Sequence, residues 1–292
     1  MGSAGSTPLV PLRKLARALG APFELWGKLE SANPSGSVKD RAASAIVRTA
    51  LASGKLTRGR TLVDASSGNT AVAYARLAAP FGFAVRLYVP SNANPSRLAT
   101  LRAFGVTVVL TDPAEGTDGA RGEARAFAEE DPSERYFADQ YNNPANAAAH
   151  YTGTGPEIWR QSRGAVTHLI AGVGTGGTVT GTGRFLKEQR PSIRVVAVEP
   201  TGPMHGLEGL KHLPTALRPG VYDATVPDET ARIETEEAIA MVERVAREER
   251  LVIGRSAGAA IAAALGLGNA ARGGFLVVVL PDAGSTLGGP GP

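Results

Sequence analysis

Val166-Thr167-His168-Leu169-Ile170-Ala171-Gly172-Val173-Gly174-Thr175-Gly176-Gly177-Thr178 is the stretch on which the fold turns. Its first half is a short apolar run bounded by turn residues, the pattern of a strand buried on both faces. Val179 to Gln189 then follows a helical pattern. Glycines between strand and helix let the backbone close around a ligand. The free N–H groups of a helix start, with threonine hydroxyls beside them, suit a phosphate. Gly172, Gly174 and Gly177 fit G-x-G-x-x-G, and Glu199 ends the next strand about where a dinucleotide-binding acid stands. No lysine follows Gly177, so this is not a Walker loop. Read alone, the segment leaves a nicotinamide or flavin enzyme open.

The same rhythm runs outward in both directions. Strands are predicted over 23–29, 61–64, 84–89, 106–110, 166–171, 193–198, 251–253 and 275–280. Helices are predicted over 41–53, 70–79, 96–104, 119–130, 147–160, 179–189, 234–247 and 257–267. Pro80 is expected to end the second of these helices, and Gly153, Gly155 and Pro156 to break up the fifth. Alternation of strand and helix implies an α/β fold with parallel sheets covered on both faces. Asn142-Asn143-Pro144 reads as a domain crossing. The stretch from Pro200 to Asp228 carries little periodicity, is long for a plain connection, and is a candidate active-site loop.

Composition narrows the chemistry. The 292 residues are 43% hydrophobic and 20% charged, a globular balance. There is no cysteine, which excludes disulfides, thiolate nucleophiles and zinc–thiolate sites; no metal site is expected. A net charge of +4 without a basic tract, and aromatic content of 5%, give no nucleic-acid surface. No apolar run reaches membrane-spanning length, and Met1 to Ser6 does not read as a signal peptide. Gly2 with Ser6 fits an acylation pattern only superficially, since nothing nearby is polybasic. A cytoplasmic enzyme is the expectation.

Three further segments stand between a strand and a helix. Lys39 lies in Asn33-Pro34-Ser35-Gly36-Ser37-Val38-Lys39-Asp40-Arg41. A helix start disfavours a cation, so Lys39 is either a solvated first-turn lysine or an amine poised for a Schiff base. Ser66-Ser67-Gly68-Asn69-Thr70 follows a strand and opens a helix. Five capping-type residues exceed what one cap needs, and together they suit a carboxylate. Ser256 in Gly254-Arg255-Ser256-Ala257-Gly258 is either an N-cap or a hydroxyl that meets a neutral ring nitrogen. Lysine, carboxylate nest, phosphate loop and ring partner make a full inventory for one cofactor and its amino acid. A dinucleotide enzyme leaves the lysine and the nest without a role.

These segments resemble the cysteine synthases, of B type, within the tryptophan-synthase-β-like pyridoxal-phosphate enzymes. The likeness runs from Thr7-Pro8-Leu9 to Pro281-Asp282. Besides the segments above it includes Gln140-Tyr141-Asn142-Asn143-Pro144-Ala145-Asn146 and Thr154-Gly155-Pro156-Glu157-Ile158-Trp159. The resemblance implies that Lys39 carries pyridoxal 5′-phosphate and that Asn69 meets its 3′ oxygen. It implies a phosphate cradle of Gly174, Thr175, Gly176, Gly177 and Thr178, with Ser256 at the ring nitrogen. Ser66, Ser67, Thr70 and Gln140 then hold the substrate carboxylate. The family usually has threonine where Ser66 stands and glycine where Ala71 stands; serine keeps the hydroxyl, while Ala71 adds a methyl group at the helix start.

The family architecture is two open twisted sheets flanked by helices, of fold type II. It implies a smaller mobile domain over 35–139 and a larger one from 1–34 plus 140–292. The implied reaction replaces the ester group of O-acetyl-L-serine or O-phospho-L-serine by sulfide, giving L-cysteine, with Lys39 as the base. Lys211, in Gly206-Leu207-Glu208-Gly209-Leu210-Lys211-His212-Leu213-Pro214, occupies a place where basic residues occur in the B-type branch; it is either a solvated lysine or an attractor for an anionic substrate such as O-phosphoserine or thiosulfate. A homodimer is implied, and a serine acetyltransferase tail is a candidate partner. The rivals are cystathionine β-synthase using homocysteine, a serine or threonine dehydratase, the dinucleotide oxidoreductase, and a cofactor-free scaffold protein.

Overall fold

The computed structural model describes residues 3–284. Gly2 of the acylation pattern and the glycine- and proline-containing end of the chain lie outside the described residues. In chain order the elements are β1 (Leu9–Pro11), α1 (Arg13–Ala18), β2 (Glu24–Leu29), α2 (Lys39–Ala52), β3 (Thr61–Ala65), α3 (Asn69–Phe81), β4 (Ala84–Pro90), α4 (Pro95–Ala103), β5 (Thr107–Thr111), α5 (Gly116–Glu130), β6 (Arg135–Phe137) and α6 (Pro144–Ala149). There follow α7 (Gly155–Gln161), β7 (His168–Gly172), α8 (Gly177–Gln189), β8 (Arg194–Pro200), β9 (Glu229–Ile233), α9 (Thr235–Glu249), α10 (Arg255–Gly266) and β10 (Phe275–Leu280). The chain divides into two units, one of residues 3–38 and 147–284 and one of residues 39–146.

The first unit is built on a sheet of order β1-β2-β10-β7-β8-β9. Only β1 runs antiparallel; the other pairs are parallel. Side chains alternate across a strand, so both faces of its middle strands need cover. Ile170, Val196, Val198 and Val278 pack with residues of α1, α9 and α10 on one face. Leu169, Ala171, Val195, Ala197 and Val277 pack with residues of α7 and α8 on the other. The second unit is built on a parallel sheet of order β5-β4-β3-β6. Leu62, Val85 and Leu87 join Ile46, Val47 and Tyr74 of α2 and α3. Val63, Ala65 and Tyr88 join Ala120, Ala124 and Ala128 of α5. No helix among the described residues is long and apolar enough to cross a membrane.

The structure departs from the sequence expectations at identifiable points. Leu251 to Ile253 forms no strand: Ile253 is buried, but no neighbouring strand offers a ladder. Helix α3 runs through Pro80 to Phe81, because a proline in the last turn removes only one late hydrogen bond. The helix expected over 147–160 is α6 and α7 joined by a π-helical turn, His150–Thr154. Strands β1 and β6 have three residues each, too few for a period to show. Strand β9 is an exposed, charged edge that reads as loop.

One buried ion pair ties the N-terminal segment to α7. Lys28 of β2 is fully buried, and its Nζ donates to the Thr7 carbonyl (2.6 Å), Glu157 Oε2 (2.6 Å) and Gln161 Oε1 (2.8 Å). Glu157 Oε1 accepts from the Ser6 N–H at 2.8 Å. Three oxygens around one ammonium satisfy its donors, which offsets its desolvation. Removing the carboxylate alone strands the charge. Glu157→Ala is therefore expected to lower stability by about 3–5 kcal/mol in urea unfolding, whereas Lys28→Met combined with Glu157→Met loses less than Glu157→Ala alone. A loss below about 1 kcal/mol for Glu157→Ala is the value typical of surface pairs and contradicts this account.

Candidate active site

Each predicted site residue except Lys211 lies in a loop at the carboxyl end of a strand or in the first turn of a helix; Lys211 lies in the long connection between β8 and β9. In the unit of residues 39–146, Lys39 is the first residue of α2, two residues earlier than the predicted helix start. The segment before it belongs to the other unit and is held there from both sides. The Val38 N–H donates to the Pro281 carbonyl (2.8 Å), and Ser37 bridges Asp282. Upstream, Asn33 donates to Glu30 Oε2 (2.7 Å), Thr7 donates to Glu30 Oε1 (2.8 Å), and Gly5 N–H donates to Asn33 Oδ1 (2.8 Å). Glu30 is fully buried, so both its carboxylate oxygens serve to fix this loop.

Ser66 to Thr70 joins β3 to α3, which begins at Asn69. Gly68 occupies the cap position, and no side chain caps the helix. The Gly68 N–H turns to Ser66 Oγ at 3.3 Å. Ala71, in the first turn of α3, is fully buried in the core that α3 shares with α2, so its methyl group fills space and the helix still starts. Thr70 and Gln140, distant in sequence, meet. The Thr70 hydroxyl donates to Gln140 Oε1 (2.8 Å), and Gln140 Nε2 donates to the Ala65 carbonyl (3.2 Å). Asn146 Nδ2 holds the Gln140 carbonyl at 2.7 Å. Asp64, absent from the sequence reading, lies beside this cluster. Its only sequence signal is one charged residue inside an otherwise apolar strand.

In the other unit, Gly172 ends β7 and Gly177 starts α8, with no acidic residue in the first helical turn. Gly176 has φ +84°, and a Cβ there would stand 2.5 Å from Tyr222 Cβ. A Cβ on Gly174 would stand 2.2 Å from the Gly209 carbonyl oxygen. The Lys211 N–H donates to the Val173 carbonyl (2.8 Å), which lays 209–211 against the loop. Thr178 Oγ1 lies 3.3 Å from His150 Nε2, and His150 Nδ1 lies 2.9 Å from Thr154 Oγ1. His150 was missed in the sequence; its spacing of four from Thr154 is the available signal. Ser256 is buried in the first turn of α10, where Gly254 and not Ser256 is the cap. The Gly254 N–H donates to the Asp282 carbonyl at 3.2 Å. Glu199, the residue in the dinucleotide position, is buried, and burial raises its pKa above the usual carboxylate range. Its Oε2 has no hydrogen-bond partner among the described residues.

Loop 172–178 fits a phosphate. Glycine backbone approaches closely, helix N–H groups are free of acidic competition, and Thr175 and Thr178 supply hydroxyls. Residues 1–282 match the family model described as pyridoxal-phosphate dependent enzyme. A cysteine synthase of Aquifex aeolicus is 45% identical over 285 residues, covering 96% of this chain and 87% of the relative. Cysteine synthase B of Salmonella typhimurium is 40% identical over 280 residues, covering 96% of this chain and 91% of the relative. A crystal structure of a cysteine synthase from Entamoeba histolytica superposes with TM-score 0.91 at 33% identity, covering 99% of this chain and 90% of that one. The chain belongs to the pyridoxal-phosphate dependent enzymes, within them to the cysteine synthase family, with the fold type II architecture. Pyridoxal phosphate is its cofactor.

Gly176→Ala places a methyl group at positive φ and against Tyr222. That strain is roughly 1–3 kcal/mol, and relieving it moves the loop N–H groups. Pyridoxal-phosphate affinity, read by absorbance titration of the apoprotein, is expected to fall about tenfold for each 1.4 kcal/mol. Unchanged affinity contradicts a cradle at this loop.

Proposed function

We propose that this enzyme replaces the acetyl ester of O-acetyl-L-serine by sulfide, releasing acetate and L-cysteine. The observation that carries the substrate assignment is the Thr70–Gln140 bond beside the N-terminus of α3. It brings a hydroxyl and an amide to a helix start already rich in serine, a site matched to an α-carboxylate. The cysteine synthase relatives support sulfide as the nucleophile over homocysteine or water.

Bound pyridoxal phosphate supplies an electron sink that acidifies the Cα proton of an amino acid. We assign Lys39 as the residue that carries it, and Lys39 Nζ as the base that takes the Cα proton and later returns it. The cradle is assigned to Gly174, Thr175, Gly176, Gly177 and Thr178, with Asn69 at the 3′ oxygen. Ser256 would offer the ring nitrogen a hydroxyl rather than a carboxylate, a partner that does not require that nitrogen to be protonated. Ser66, Ser67, Thr70 and Gln140 hold the substrate carboxylate and so orient the Cα–H bond toward Lys39. The smaller, moving domain expected over 35–139 is proposed with bounds near 39–146, since Val38 is bonded to Pro281 and Gln140 to Thr70 and Ala65. A cytoplasmic homodimer is the proposed form, with a serine acetyltransferase tail as candidate partner.

A second reading, O-phosphoserine as donor, is favoured by one observation. The hydrogen bond from the Lys211 N–H to the Val173 carbonyl brings the backbone of a lysine to the glycine loop, from which its side chain could meet an anion.

Purified enzyme is expected to show a visible cofactor band that O-acetylserine depletes and sulfide restores as cysteine forms. Lys39→Ala is expected to lose the band's response and at least about a thousandfold in turnover, the scale for a group acting in a catalytic unit. Stronger response to O-phosphoserine than to O-acetylserine selects the second reading. No response to either ester contradicts both.

A further inference from the structure

Asp64 is fully buried one residue before the end of β3. Its Oδ1 accepts from the Ala65 N–H at 2.9 Å. Its Oδ2 accepts from the Tyr74 hydroxyl at 3.0 Å and from the Gln140 N–H at 3.4 Å. One carboxyl group therefore touches the strand end that launches Ser66, the helix that starts at Asn69, and the backbone of Gln140. Gln140 closes the ring by donating to the Ala65 carbonyl and accepting from Thr70. The chain reaches Gln140 through Asp139, whose φ of +42° is a conformation that side chains rarely adopt. Something has to hold that turn, and Asp64 is bonded to the residue directly after it.

We propose that Asp64 is a positioning residue for the substrate-carboxylate site, and that its protonated form is the one that favours substrate. This rests on the assignment of Ser66, Ser67, Thr70 and Gln140 as that site. Among the described residues, few titratable groups act on Asp64. Tyr74 comes from α3, Tyr136 from β6, and Asp139 and Tyr141 from the segment after β6. Arg121 and Arg125 of α5 pair with Asp139, each at 3.3 Å, and so blunt its charge. β4 presents Leu87 opposite Asp64, and α2 adds Ala43, Ile46 and Val47 to the same core.

Burial in this apolar layer raises the pKa of Asp64 to about 7; Asp139 adds to the rise, and the bonds from Ala65, Tyr74 and Gln140 oppose it. A substrate carboxylate held by Thr70 and Gln140 adds a second negative charge nearby in a poorly screened region. That raises the Asp64 pKa further, so by linkage substrate binding takes up a proton. Affinity for the ester is then highest below pH 7 and falls as Asp64 ionises. The tyrosine hydroxyl accommodates both states, since it both donates and accepts.

The test is the KM of the holoenzyme for O-acetylserine between pH 6 and about 8.5, with kcat read in the same assays, bracketing the pH range in which buried carboxyls titrate. Wild type is expected to show KM rising about three- to tenfold through pH 7, with kcat varying less, on the scale of partly screened like charges. Asp64→Asn is expected to remove this inflection, leaving KM nearly flat. Tyr74→Phe removes a donor to the carboxylate and is expected to move the inflection to higher pH; it carries the test if Asp64→Asn fails to fold. An inflection unchanged in both variants overturns the proposal. Absence of cysteine formation by wild type overturns the functional assignment instead, a separate result.

Discussion

Backbone must come closer to backbone at loop 172–178 than any side chain allows, and much of the larger unit is arranged around that requirement. Gly174 faces the Gly209 carbonyl and Gly176 faces Tyr222 at distances that leave no room for a Cβ. Segment 206–213 is held in place by the Lys211–Val173 hydrogen bond and by Leu207, fully buried in the core. The strand that delivers the loop, β7, lies between β10 and β8, so its position is fixed from both sides. What results is a row of N–H groups at the start of α8 with hydroxyls beside them, which is what a phosphate ester needs.

Buried polar groups do the remaining positioning, and in each unit they sit where an ordinary apolar residue would pack as well. Glu30 fixes the loop that leads to Lys39. Lys28 and Glu157 lock the N-terminal strand segment to α7. Asp64 links a strand end, a helix and the turn at Gln140. Apolar residues in these places would serve the core, but they would leave the loops free to adopt other conformations. A satisfied polar network specifies one arrangement.

Much of this was legible in the sequence where a period or a dense motif existed. Ile170 and its neighbours announced a strand buried on both faces, and the Gly172–Thr178 loop announced a ligand. The short strands β1 and β6 were not legible, because three residues carry no periodicity. The Leu251–Ile253 run looked like a strand because it is apolar, yet burial of Ile253 alone accounts for it. The meeting of Thr70 with Gln140 is a product of topology: β3 and β6 are neighbours in the sheet though the residues are seventy apart. Asp64 and His150 carry only weak signals, a charge within an apolar strand and a spacing of four from Thr154, and their hydrogen bonds are what give them a role. Glu199 shows the converse, a residue in the right place for a dinucleotide enzyme whose burial gives it no such use.

The proposed chemistry depends first on Lys39 as the residue that carries the cofactor. Borohydride reduction of the holoenzyme, followed by proteolysis and mass spectrometry, tests it most directly. One phosphopyridoxyl adduct is expected, on the peptide that contains Lys39. An adduct on Lys211 or another lysine, or none in enzyme that retains its visible band, would contradict it.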